Sequence, residues 1–321
     1  MSVLFNISYS PWSSLLKFYI DNLGTVRLRT SGDLDFSGAI DVANNALKSS
    51  YQSTGFEHVY FPDLETVSGS YAMSNFISGD TNLTSISFPK LETITGSYAM
   101  EYLCDGDSYL TSIDFSSLTS VGSYSLQYAF RNCTSLLTIC FPKLLEINGS
   151  LAMYNSLYNC SSLQTISFPK LTTISGDSAF DGLASNCPNL SSILLPELAS
   201  ISGGYAFSSF IGHEPQLPSK HNYALKSVSF PKLRTISGNM VMAYAFRNNK
   251  ALETVYFPSL EGTVPTNIFG NASNNSYAFL NTPALTEIHF PAAIQSAIEA
   301  TTGYSTVWGH GADSTIVRFD L

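Results

Sequence analysis

Five cysteines, five histidines and a sparse set of carboxylates are the residues of this chain suited to catalysis or metal binding. Cys133, Cys160 and Cys187 lie 27 apart, each eight residues before Phe141, Phe168 and Leu195. A thiol at that interval is either a metal or redox ladder, or a small side chain at a repeated turn that bonds neighbouring backbone. The second reading fits better. Asp80, Asp107, Asn222, Asn249 and Thr282 hold the same place elsewhere, and these types share only small size and hydrogen-bonding capacity. No Cys-x-x-Cys or His-x-x-x-His pair supports a metal site. His58, His213, His221, His289 and His310 are scattered and fall in no nucleophile or metal signature. Asp105-Gly106-Asp107-Ser108 opens like a calcium loop, but Ser116 stands at the closing position where an acid is required, so a solvated turn is expected. Acid, base, nucleophile and oxyanion donors do not converge anywhere, which predicts no catalytic residues, no cofactor and no enzyme.

The elements that hold these residues are copies of one unit. Phe61-Pro62, Phe88-Pro89, Phe141-Pro142, Phe168-Pro169, Leu195-Pro196, Phe230-Pro231, Phe257-Pro258 and Phe290-Pro291 recur, with Phe115-Ser116 filling the one gap. Most of these spacings are 26 or 27 residues, and two are 35 and 33. Each copy reads approximately Leu-x-x-Ile-x-Phe-Pro-x-Leu-x-x-Ile-x-Gly-x-x-Ala-Phe/Met, as in Leu83 to Met100. Alternation of Ile86 and Phe88 with Ser85 and Ser87 predicts a short strand with one buried face and one open face, ended by Pro89. Leu91, Ile94, Ala99 and Met100 return apolar groups to the core, and Gly96 is read as a tight bend. One copy cannot bury its own faces, so the units must stack.

The ends differ. Residues 1–55 read as a hairpin, with Leu16 to Ile20 and Val26 to Arg29 around Asp21-Asn22-Leu23-Gly24, followed by a degenerate repeat with a helix on Ile40, Ala43 and Leu47. Residues 56–290 are the repeats. Residues 291–321 read as a capping helix carrying Ile294, Ala297 and Ile298, then a strand from Thr315 to Phe319.

Composition limits the partners. Charged residues are 12% of the chain and the net charge is −9, with no basic run to neutralise a phosphate backbone, so nucleic acid is not expected. No stretch is long and apolar enough for membrane insertion. Met1 to Leu16 shows no readable signal peptide. The odd number of cysteines argues against a complete disulfide framework.

Asn132-Cys133 to Phe141 and Asn159-Cys160 to Phe168 follow Asn-Cys-x-x-Leu-x-x-Ile and then Phe-Pro, with Ile-x-Gly and Ala-Phe later in the unit. On these residues the chain resembles the BspA-like branch of bacterial leucine-rich-repeat proteins over residues 56–290. The resemblance implies a repeat solenoid, a leucine-rich-repeat right-handed superhelix with short parallel strands stacked one per repeat and capped ends. It also implies a surface-exposed or secreted protein, several members being adhesins for host proteins or other cells.

Two surfaces are candidates for a protein or glycan ligand. The first is the open strand face, a series of short hydroxyls with Tyr60, Asp114, Tyr256 and His289 among them; it is either a binding face or a solvated sheet. The second is the insertion at Ile211 to Asn222, which carries His213, Glu214, Lys220 and His221. A stripe of Tyr71, Tyr98, Tyr128, Tyr205, Tyr244 and Tyr277 before each Ala-Phe/Met either stacks on sugar rings and protein or covers the repeat junctions. The leading expectation is a non-enzymatic binding or adhesion protein. The alternative is a structural spacer or display scaffold in a phage or secreted assembly.

Overall fold

The computed structural model describes residues 3–7, 16–20, 27–28, 33–51, 55–212, 222–273, 275–311 and 314–321, the first three as backbone only. The chain winds as a parallel-strand solenoid of about ten turns with little helix. Each regular coil has three sides: a three-residue front strand, a two-residue side strand and a long turned side.

Front strands such as Ser85–Ser87, Thr138–Cys140 and Thr165–Ser167 bury their central Ile or Val and leave the flanking residues half-buried or exposed. The phenylalanine that follows each one points into the core and stacks on its counterpart, with Phe61–Phe88 at 5.0 Å, Phe88–Phe115 at 5.3 Å and Phe141–Phe168 at 5.2 Å between ring centroids. Around this column Ile86, Leu91, Ile94, Ala99 and Met100 are at most 1% exposed, as are most of their counterparts.

The side strands are a second ladder in each coil beyond the one strand expected. Thr66–Val67, Thr93–Ile94, Ser120–Val121, Glu146–Ile147, Thr173–Ile174, Ser200–Ile201 and Thr235–Ile236 form an unbroken seven-stranded parallel sheet. A two-residue strand has too short a period to show as alternation in sequence. The glycine after it does not make a bend through left-handed backbone. Its φ is ordinary at Gly96 and Gly176, and what it permits is close approach. A Cβ on Gly96 would lie 2.1 Å from Gly69 O, and one on Gly176 would lie 2.1 Å from Gly149 O.

On the turned side every fourth residue is left-handed: Tyr98, Tyr102 and Gly106 in one coil, Tyr124, Tyr128 and Asn132 in the next, Leu151, Asn155 and Asn159 in the one after. Such backbone costs a non-glycine residue roughly 1 kcal/mol or more. It is offset by amide bonds to the following coil, such as Tyr124 N to Ser150 O at 2.9 Å and Tyr128 N to Tyr154 O at 2.9 Å. Asparagine, the side chain that best tolerates this region, also builds a ladder there. Asn159 Nδ2 donates to Asn132 Oδ1 at 2.7 Å, and Asn132 Nδ2 donates to Asp105 Oδ1 at 3.1 Å.

The N-terminal elements pair differently from expectation. Leu16–Ile20 is antiparallel to Val3–Ile7, and Arg27–Leu28 is antiparallel to Asp33–Asp35; the strands read as one hairpin belong to two different pairs. Residues 40–47 are not helical, because they already follow the turned side, with Asn45 left-handed and Ile40 60% exposed. At the other end Gln295–Glu299 is helical with Ile294 and Ile298 buried, and Val317–Phe319 pairs in parallel with Glu287–Phe290.

Candidate functional site

The front strands place the flanking residues in two in-register columns. One runs His58, Ser85, Ser112, and after a break Thr138, Thr165, Ser192; the other runs Asp35, Tyr60, Ser87, Asp114, then Cys140, Ser167, Leu194. A third sheet carries Ser227, Thr254 and Glu287 beside Ser229, Tyr256 and His289. Parallel pairing in register follows from near-identical repeats, since shifting one coil by a residue would turn that coil's Ile and Phe out to solvent.

Among the described residues no ladder bond joins Ser112–Asp114 to Thr138–Cys140. This opening coincides with a coil one residue short: Val121 and Gly122 are adjacent, whereas Thr95 separates Ile94 from Gly96. The opening leaves a cleft of about 260 Å³ on the front face, lined by Ser112, Ile113, Asp114, Ser116, Thr138 and Cys140 among others. Ile113 is only half-buried there, unlike its counterparts. Asp114 accepts from Ser116 N at 2.9 Å and from Ser87 Oγ at 3.2 Å. Cys140 is an exposed free thiol.

Tyr60 stands two coils before Asp114, with His58 beside it at 6.1 Å between ring centroids and His58 Nδ1 2.8 Å from Ser85 Oγ. Tyr256 and His289 meet at the far end, stacked at 4.7 Å. The structure therefore brings Tyr256 and His289 together and leaves Tyr60 and Asp114 two coils apart in another sheet, so the four face residues do not form one cluster. His213, Glu214, Lys220 and His221 lie outside the described residues.

Around His289 is a group that sequence reading did not assemble. Its Nδ1 is 2.9 Å from Asp320 Oδ1 and its Nε2 is 3.2 Å from Glu287 Oε2, with Arg318 Nε 4.0 Å from Glu287 Oε1. The hydrogen bond from His289 holds the Asp320 carboxyl below the usual carboxylate range. Alternation marked the last strand, but only its register with Glu287–Phe290 brings Arg318 and Asp320 to this histidine.

The tyrosine stripe is two stripes. Tyr71, Tyr98 and Tyr124 stack at 4.9 and 4.4 Å, and Tyr102 stacks on Tyr128 at 4.8 Å. Ala129-Phe130 resembles Ala99-Met100, yet Met100 N bonds to Ser125 O and Cys104 N to Ala129 O, so the look-alike lies four residues further along the coil. Tyr98 has a ring on each side, and Lys48 lies 4.4 Å over Tyr71. These faces are occupied by the protein itself and are not sugar platforms.

The cysteine column bonds neighbouring backbone: Cys133 Sγ to Cys104 O at 3.1 Å, Cys160 Sγ to Phe130 O at 3.2 Å and Cys187 Sγ to Leu157 O at 3.2 Å. Burial pushes the Cys104, Cys133 and Cys160 thiols well up. The calcium-like segment is not a solvated turn. Asp105 pairs with Arg131 at 2.6 Å, and Asp107 is wholly buried, its Oδ1 accepting from Asp80 N at 2.6 Å. Burial, with the Asp80 carboxylate adding to it, pushes the Asp107 carboxyl up to about 8.

A family model described as BspA type leucine rich repeat region (6 copies) matches residues 44–181, 104–223, 153–276 and 185–301. The chain belongs to the BspA-type leucine-rich-repeat family. Membership points to a surface or protein-interaction role, and family members are typically scaffolds without enzymatic activity. No curated protein sequence matches the chain. Among solved structures it is similar to a leucine rich cell surface protein from Faecalibacterium prausnitzii A2-165, at 15% identity over 84% of this chain and 93% of that one, TM-score 0.23. It is also similar to a chain of the mouse RP105/MD-1 complex, at 16% identity over 78% of this chain and 46% of that one, TM-score 0.26. Similarity this low does not bear on function. Among the described residues no helix is long and apolar enough to cross a membrane.

Proposed function

We propose that this is a non-enzymatic binding protein, surface-displayed or secreted, that engages a protein or glycan ligand through the open strand face. The observation that carries the reading is the front face itself. Two tyrosines, Tyr60 and Tyr256, stand in the first and third of its three sheets, with mostly short side chains in register within each sheet between them and a polar cleft at Asp114 where the first two sheets part. Half-buried aromatic anchors beside adaptable hydroxyls are the residue types that concentrate binding energy. Residues 56–290 supply this face, with 1–55 and 291–321 as its end caps, and the Ile211 to Asn222 insertion is a second contact.

The charge on the face is low, so affinity should change little with ionic strength. The test is a screen of the purified chain on extracellular-matrix and glycan arrays, with Tyr60→Ala and Tyr256→Ala variants alongside. The expected result is a ligand whose binding weakens in at least one variant and persists at high salt. Absence of any ligand would favour the structural spacer, and a ligand indifferent to both variants would move the site off this face.

A further inference from the structure

The front face is not uniform along its length, and its N-terminal half has the features of a defined subsite. From Tyr60 through Ser87 to Asp114 is two ladder spacings of about 4.8 Å, and the unpaired step to Cys140 brings the trough to at least roughly 14 Å, the length of a short oligosaccharide. Tyr60 pairs in register with Ser87, whose side chain is too short to cover a ring. Tyr98 is instead stacked between two rings and Tyr256 is stacked on His289. At the other end of the trough the cleft of about 260 Å³ falls just below the roughly 300 Å³ of the smallest drug-sized pockets, a space for one ring and not for a helix or a packed side-chain cluster.

We infer that the segment from Tyr60 to the cleft between Asp114 and Cys140 is a subsite for a neutral oligosaccharide. The chemistry matches group by group. The C–H face of a pyranose packs on a phenol ring as any apolar surface does, while its hydroxyls need both donors and acceptors at close intervals. Ser112 and Thr138 supply hydroxyls of either sense, and Ser87, whose hydroxyl donates to Asp114, supplies an acceptor. Asp114 accepts two bonds from the protein out of about four that a carboxylate can take, so acceptor capacity is left for sugar hydroxyls. The facing edges of Ser112–Asp114 and Thr138–Cys140 add backbone groups that make no ladder bond with each other.

Charge and backbone geometry disfavour other occupants. The eight face residues from His58 to Cys140 include one carboxylate and neither lysine nor arginine, so an anionic glycan would meet Asp114 with nothing to offset it. An extended peptide gains its affinity by adding a strand along an exposed sheet edge, and the edges at the cleft, Ser112–Asp114 and Thr138–Cys140, are three residues each and face one another, too short a run for an added strand.

The inference rests on the open face being the binding surface, and the experiment separates the two. Cellotetraose, laminaritetraose and mannotetraose are titrated into the full chain by calorimetry and saturation-transfer NMR, with a hyaluronan tetrasaccharide as charged control and fibronectin and collagen as protein probes. At least one neutral tetrasaccharide should bind, more tightly than hyaluronan. Tyr60→Ala should weaken it about tenfold or more and Asp114→Asn about fivefold, Tyr60→Phe should retain most of it, and Tyr256→Ala should leave it unchanged. Circular dichroism confirms that the variants are folded. Neutral sugar binding that ignores Tyr60→Ala and Asp114→Asn overturns the subsite. Protein binding blocked by Tyr60→Ala, with no sugar bound, overturns the glycan assignment and leaves the face as the binding surface. No ligand of either class overturns both.

Discussion

Replacing Gly176 with alanine tests how tightly the coils are stacked. The added Cβ would lie 2.1 Å from Gly149 O and 2.5 Å from Gly149 C, over an ångström inside ordinary contact, and both atoms are backbone that cannot rotate away. Relief requires the two coils to part locally, which stretches bonds such as Ser175 N to Ile147 O, now 2.9 Å, and Gly176 N to Ile147 O, now 3.3 Å. Overpacking costs about 1–3 kcal/mol, and one or two weakened amide bonds add about 1 kcal/mol each, so Gly176→Ala should destabilise by about 3–4 kcal/mol. Gly122 is the internal control. Its nearest neighbours to a new Cβ are Thr95 O at 3.1 Å and Ile94 O at 3.2 Å, and Gly122→Ala also stiffens the unfolded chain by roughly 0.4–1 kcal/mol, so its net effect should stay within about 1 kcal/mol. Urea unfolding followed by circular dichroism reads the difference, and amide exchange at Ser175 and Gly176 shows whether the loss is local. Equal destabilisation by the two substitutions would refute the close-approach reasoning.

Two further outcomes follow from the buried polar column. Asp107 holds its proton in the folded chain up to about pH 8, against an ordinary carboxyl value of 3.8. The folded state therefore binds more protons than the unfolded one between those values. Stability should fall by up to about 1.4 kcal/mol per pH unit as pH rises through that window, and level off above it. Asp107→Asn, the residue found at positions 222 and 249 of the same column, should remove that slope and raise the urea midpoint at pH 8; an unchanged slope would show that Asp107 is not its source. Thiol titration should give one fast equivalent, Cys140, in the native chain and all five in denaturant without reductant. A second fast thiol would contradict the buried column.

The repeat was legible because stacking makes the same demand of every coil. The Ile-x-Phe pattern therefore located front strands such as Thr165–Ser167, their buried centres and the residues of the open face. What the sequence hid was set by neighbours in space. The side strand at Thr173–Ile174 is only two residues long, and the glycine beside it answers to a carbonyl 27 residues away. Tyr124 took the place expected of Tyr128 because a single missing residue after Val121 shifts the numbering of the next turned side while leaving Ala129-Phe130 to imitate Ala99-Met100. The same missing residue coincides with the cleft at Asp114, and it shows in sequence only as a spacing of 26 in place of 27. Spacing deviations of one residue were thus the overlooked signal.

The most direct test of the open face as the binding surface uses its own exposed thiol. Cys140 is coupled to a bulky polyethylene-glycol maleimide in the native protein, and the conjugate is compared with unmodified protein on whichever array ligand the wild type captures. A Cys140→Ser, Ser202→Cys protein carries the same group on an exposed position beside the side-strand sheet. Capture should be lost with the group at Cys140 and kept with it at position 202. Retained capture by the Cys140 conjugate, or equal loss from both, would contradict the assignment of function to this face.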